Sequence, residues 1–302
     1  MSRIRQSGVA VVVLLAGGLV LSAQEPAAPS KPDPNVIEAA VAVLGAADLR
    51  TIRYSGTGHL HVSGQRLLTA GSGDRIALTR YEASIDYPAS AMSVELVRGG
   101  SATGDDAAAD RHVQAVNGAT AWDVAFAPVS DATITRTSAS KRSTSATAPA
   151  DGSKSADAVR GLMSQLVPQP PQLAPDAALE RRYAIWVTPH GFLKAALANQ
   201  PALRPAGAGT EVSFYSGGQR FIGFINSKNQ VDRVRTWIKQ PSGDLLIDTT
   251  YTDYATFGKV SFPTRIVQTR TGQPTLELSI TAVQPNAAVR VPVPDTLSTS
   301  AR

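Results

Sequence analysis

Residues Val231 to Gln284, VDRVRTWIKQPSGDLLIDTTYTDYATFGKVSFPTRIVQTRTGQPTLELSITAVQ, contain four strand-like runs separated by short turns. Leu276, Leu278 and Ile280 alternate with Glu277, Ser279 and Thr281, the two-residue period of a strand with one buried and one wet face. Leu245 and Ile247 begin a similar run that continues through Thr249, Tyr251 and Asp253. The turns read Pro241-Ser242-Gly243-Asp244, Phe257-Gly258-Lys259 and Thr271-Gly272-Gln273. Connections this short leave no room for a crossover helix, so the strands pair antiparallel, as a meander.

Within this stretch, Asp253-Tyr254 followed by Phe257-Gly258-Lys259-Val260-Ser261-Phe262-Pro263-Thr264-Arg265-Ile266 resembles the closing hairpin of the periplasmic lipoprotein-carrier (Lol-type) superfamily. The chain also resembles the amino-terminal accessory domain that precedes a metallo-β-lactamase-like domain in some exported soil-bacterial proteins. The similarity covers Val212 to Asn286, with weaker echoes at Arg53 to Val62 and Thr188 to Ala198. It implies an incomplete barrel with a helical lid. The motif marks a fold and carries no catalytic signature.

Upstream, Gly217-Gly218 joins Glu211–Ser216 to Gln219–Asn226 in the most aromatic part of the chain. Before it, Asp176–Trp186 and a segment opened by Pro189 and running to about Asn199 read as helices. Ala156–Val167 places Val159, Leu162, Met163 and Leu166 at helical spacing. Asn117-Gly118-Ala119 is a hairpin turn between His112–Asn117 and Thr120–Phe126, preceded by strands at Thr51–Val62, Ala77–Tyr87 and Met92–Arg98. A leading amphipathic helix begins after Asp33-Pro34-Asn35 and presents Val36, Ile37, Ala40, Val43 and Leu44 on one face. The expected fold is α+β: a curved antiparallel sheet, or incomplete barrel, of about ten or eleven strands with helices over its open face.

Arg3 and Arg5, the apolar run Val9–Leu21 and the small residue Ala23 form a secretory signal peptide, too short in its apolar part to span a bilayer. Cleavage near Ala23 would take the formal charge from +5 to +3 by removing two arginines, and would leave the protein in the periplasm. A Pro/Ala linker follows at 24–34, then one domain at 35–292 and a polar tail at 293–302. The stretch at 128–154, mainly Ser, Thr and Ala, cannot bury enough surface to offset its ordering entropy and reads as a disordered insertion. There is no cysteine, which excludes a lipobox, disulfides and thiolate metal sites.

Chemistry is sparse. His59 and His61 share a strand face at metal-compatible spacing, but His61 is followed by Val62, Ser63 and Gly64 and not by the His-x-His-x-Asp-His pattern of a metallo-β-lactamase-like site. They read as exposed strand polars. Asp105, Asp106 and Asp110 lack calcium-loop spacing, and Gly71-Ser72-Gly73 is too short for a nucleophile elbow. No paired acid and base, no phosphate cradle and no basic stripe interleaved with aromatics is present, so neither an enzyme, a cofactor nor nucleic-acid binding is expected.

What remains is an apolar interior. Trp122, Trp186, Phe214, Phe224, Trp237 and Phe262 are the candidate lining of a cavity for an acyl chain or other apolar ligand; aromatics alternating on a strand equally suit a filled core. The expected function is a non-enzymatic exported module binding a lipid, a lipoprotein acyl chain or another hydrophobic ligand, with peripheral membrane contact and an envelope protein as further partners. The alternative is a stand-alone structural or interaction domain with a filled core.

Overall fold

A computed structural model describes residues 33–61, 75–99, 110–128, 166–240 and 243–298. Helix α1 (Val36–Leu44) leads into β1 (Thr51–His61), β2 (Arg75–Asp86), β3 (Ala91–Arg98), β4 (Asp110–Asn117) and β5 (Thr120–Pro128). Short strands β6 (Leu166–Pro168) and β7 (Gln172–Leu173) precede a 3-10 turn (Pro175–Ala177), α2 (Ala178–Val187) and α3 (Pro189–Ala198). Then come β8 (Ala202–Ala206), β9 (Gly209–Ser216), β10 (Gln219–Ile225), β11 (Val231–Gln240), β12 (Gly243–Phe257), β13 (Val260–Arg270) and β14 (Gln273–Pro285), and a last helical turn, α4 (Asp295–Ser298).

The strands form one sheet in the order β6-β5-β4-β3-β2-β1-β14-β13-β12-β11-β10-β9-β8, with β7 also paired to β5. The β1–β14 pairing joins the first five strands to the C-terminal meander, and the edges at β6 and β8 do not meet. The result is a curved antiparallel sheet that stops short of a barrel. It has fourteen strands where the sequence pattern gives about ten or eleven, because β6, β7 and β8 lie in Pro-rich segments that carry no period-2 signal. Pro168 and Pro205 are tolerated there because both strands are sheet edges. Residues up to 165 of the helix expected over 156–167 lie outside the described residues, as does the insertion over 129–154, and Leu166–Pro168 pairs with β5 as a strand. The segments read as signal peptide and linker up to residue 32 also lie outside them.

The hairpin that carries the Lol-type resemblance has a physical reason for its residues. Pro263 has no N–H to give, and the ladder skips there: Thr252 pairs with Arg265 and Tyr254 with Pro263. Asp253 between them adopts a left-handed conformation (φ 57°), and the Thr264 hydroxyl donates to its carbonyl at 2.7 Å.

Helix α1 buries Val36, Ile37, Ala40 and Leu44; Val43, expected on the same face, is exposed. It ends in a Schellman turn. Gly45, at φ 65°, donates to the Ala42 carbonyl and the Ala46 N–H returns to Val41. Carbonyls at and just past its end are met from α3: His190 Nε2 lies 3.0 Å from the Leu44 oxygen, and Lys194 Nζ donates to the Ala46 carbonyl at 2.8 Å. Thr188 links α2 to α3, donating from Oγ1 to Ile185 and accepting from the Gly191 N–H at the start of α3. Pro189 fills the first turn, where its missing N–H has no partner to lose.

Beneath α1 and α3 the interior is solid. Phe192 packs against Phe214 (ring centroids 5.3 Å), Phe214 stacks on Phe221 (5.5 Å), and Phe262 lies between Tyr54 (4.9 Å) and the His190 ring (5.7 Å). Gly223 is where β10 passes under Phe192; a Cβ there would meet the ring at 2.2 Å. A second, smaller cluster lies apart from this core, where Trp122, Ala91 and Ala115 are covered by Val289, Val291 and Leu297 of the C-terminal segment. Leu297 belongs to the segment expected as a polar tail. Asn117 Nδ2 holds that strap by donating to the Val291 carbonyl at 2.8 Å.

Candidate functional site

Helix α2 bridges the two halves of the sheet, touching β3, β4 and β5 on one side and β11 on the other. Between it and the strands lies a cavity of about 450 Å³. That is within the range of small-ligand pockets, roughly 300–1,000 Å³. Its apolar wall comes from Leu60 of β1, Leu96 of β3, Val116 of β4, Ile247 of β12 and Leu276 of β14. Tyr81 and Tyr183 add aromatic surface, and burial pushes the Tyr81 hydroxyl up to about 12, keeping it a neutral hydrogen-bonding group.

The charged side chains that reach the cavity are already engaged. Arg181 donates to the carbonyls of Ala115 (3.2 Å) and Trp122 (2.8 Å) and to Asp123 (2.6 Å), tying α2 to β4 and β5. Arg270 pairs with Glu180, tying α2 to the end of β13. His61 Nε2 lies 3.0 Å from Glu277, and Thr275 Oγ1 donates to the Gln268 carbonyl at 3.2 Å. The arrangement is a greasy floor with a rim of charged groups that are already paired. Such a site can desolvate an apolar chain; among the described residues it holds no nucleophile with an adjacent base.

None of the six aromatic residues singled out from the sequence lines this cavity. Phe214 and Phe262 belong to the packed core, Phe214 also bordering a depression beside the end of α3, and Trp122 packs under the C-terminal strap. Phe224 and Trp237 stand on the outer face of β10 and β11, under the guanidinium groups of Arg235 (5.4 Å) and Arg220 (5.7 Å) respectively. Trp186 borders a different cleft, 6.5 Å from Tyr87. The aliphatic residues of its strand wall belong to ordinary strand alternations, and no local signal separates them from filled-core positions. His59 and His61 meet Arg75 and Glu277 in a polar cluster, with Arg75 donating to His59 Nδ1 at 3.3 Å and to Glu277 at 3.2 Å. Among the described residues no group of three His, Asp or Glu side chains is placed to hold a metal ion.

No family model and no curated protein matches the chain. Among solved structures, a LolA superfamily protein from Nitrosomonas europaea is similar at 11% identity and a TM-score of 0.42, covering 89% of this chain and 97% of that one. A DUF1329 family protein from Desulfovibrio piger is similar at 8% identity and a TM-score of 0.32, covering 86% and 96%. At this distance neither likeness bears on function.

Proposed function

We propose that residues 35–292 form an exported, non-enzymatic binding module that takes a lipid acyl chain, or another ligand with an extended apolar body, between α2 and the inner face of the sheet. The observation that carries this reading is the 450 Å³ cavity, with aliphatic walls from β1, β3, β4, β12 and β14. Burying apolar ligand surface there is favourable by about 25 cal/mol per Å². The export half of the proposal rests on the amino-terminal sequence, with cleavage near Ala23 and a periplasmic location. A lipoprotein acyl chain, a membrane surface and an envelope protein are the partners such a module would meet.

A second reading is a stand-alone structural or interaction domain, related to the accessory domain of an exported metallo-hydrolase. The solid aromatic half around Phe192, Phe214 and Phe221 favours it. Native mass spectrometry of protein purified from the periplasm, followed by lipid extraction, separates the two. A co-purifying acyl species, and displacement of the dye N-phenyl-1-naphthylamine by fatty acid, are expected of the binding module. A bare protein mass with no dye displacement leaves the structural reading standing.

A further inference from the structure

The C-terminal end of α3 is ringed by two neighbouring depressions, of about 370 and 560 Å³, which share Ala198 and Asn199 as a common wall. The first is bounded by Tyr87, Trp186, Lys194 and Arg50. The second is bounded by Gln200, Tyr215 and Arg220. Among the described residues no Asp or Glu lines either one.

That composition differs from the outer face of β1 to β4. On β1 to β4 the arginines are matched by acids in an alternating ladder: Arg53 and Arg80 with Glu82, and Arg80 and Arg111 with Glu95. Around α3 the cations meet ring faces and carbonyls. The Arg220 guanidinium sits 5.7 Å from the Trp237 ring centroid, and Lys194 Nζ lies 5.7 Å from that of Tyr87 while donating to Ala46. Asp48 acts on Lys194 from outside the lining. Tyr215 is 65% exposed, the most exposed large aromatic or aliphatic side chain among the described residues. Tyr, Trp and Arg are the residue types in which binding energy concentrates at protein interfaces, and a cationic surface whose lining carries few acids attracts carboxylates.

We propose that this groove is a docking site for an extended acidic segment of a partner protein, distinct from the cavity under α2. Its carboxylates would meet Arg50, Lys194 and Arg220, and its aromatic or aliphatic side chains would lie on Trp186 and Tyr215. The neighbouring edge strand β8 carries Pro205, which interrupts an unpaired edge, so the partner is read by side chains and not by adding a strand.

The test uses the mature protein and a fluorescein-labelled glutamate–tyrosine copolymer, followed by fluorescence anisotropy. The copolymer is expected to bind, more weakly as salt rises. Y215S/R220Q, both at exposed positions, is expected to weaken binding about tenfold or more with an unchanged melting temperature. R80Q removes the same single charge from the opposite ladder and should leave affinity within about twofold. Absence of copolymer binding, equal affinity in Y215S/R220Q, or an equal loss in R80Q would each overturn the proposal. Tighter binding of polygalacturonate than of the copolymer would reassign the groove to an acidic glycan and overturn it as a peptide site. None of these outcomes depends on whether the α2 cavity holds a lipid.

Discussion

His190 shows how one buried side chain ties stability to pH. Its ring is fully enclosed, stacked on Phe262, with Nε2 donating to the Leu44 carbonyl and Nδ1 buried without a partner. Burial is the main cause that lowers its pKa from 6.5 to about 4, the Leu44 bond opposes that shift, and the Lys194 charge adds to it. The folded state therefore refuses a proton that the unfolded state accepts between those two values. The neutral ring's contribution is fully present above pH 6.5, falls through the window from 6.5 to about 4, and changes no further below it. A shift of this size corresponds to about 3 kcal/mol across the window. His190→Gln can keep the donor to Leu44 while removing the titration. Urea unfolding at pH 7.5 and pH 4 should show the wild type losing about 3 kcal/mol more than the variant. Equal losses would show that other groups dominate the acid limb.

At the scale of elements, two joints hold the sheet and its helices in register. Thr188 closes α2, caps α3 and lies 3.2 Å from the Tyr87 hydroxyl at the end of β2. Thr188→Ala should cost about 1–2 kcal/mol by removing the cap, and Thr188→Ser, which keeps the hydroxyl, should recover most of it in chemical denaturation. The other joint is the skipped pair at Asp253. Its left-handed backbone suits Gly and tolerates Asp, but a β-branched residue there is strained. Asp253→Gly should fall within about 1 kcal/mol of wild type, whereas Asp253→Val should lose about 1–2 kcal/mol, read as a drop in melting temperature. These joints explain which parts of the fold can be read without coordinates. The meander was legible because alternation and turn residues are local signals, and so were α1 and α3, whose caps are written at Gly45 and Pro189. Strands β6 to β8 were not legible, because edge strands with Pro168 and Pro205 have neither alternation nor turn chemistry of their own.

For the whole molecule, the decisive property is that one interior is filled at one end and hollow at the other. Alternation indicates which side chains face inward; it does not indicate whether opposing walls meet. A large aromatic such as Phe262 reads as cavity lining because it is apolar and inward-facing, yet its bulk fills the space between Tyr54 and His190. The cavity survives where the inward residues are Leu60, Val116, Ile247 and Leu276, and where Arg181 and the Arg270–Glu180 pair hold α2 across the gap. Its floor can therefore be blocked without disturbing the solid half. Ala184 on α2 lines the cavity, so Ala184→Trp would place a large side chain in space now available to a ligand. A ligand that binds only the folded state adds RT ln(1 + [L]/Kd), about 2.7 kcal/mol at a hundredfold excess over Kd. Titrating palmitate should raise the melting temperature of the wild type progressively and leave that of Ala184→Trp unmoved, while the ligand-free variant melts within a few degrees of wild type. If palmitate stabilised both chains equally, the cavity under α2 would not be where the acyl chain goes.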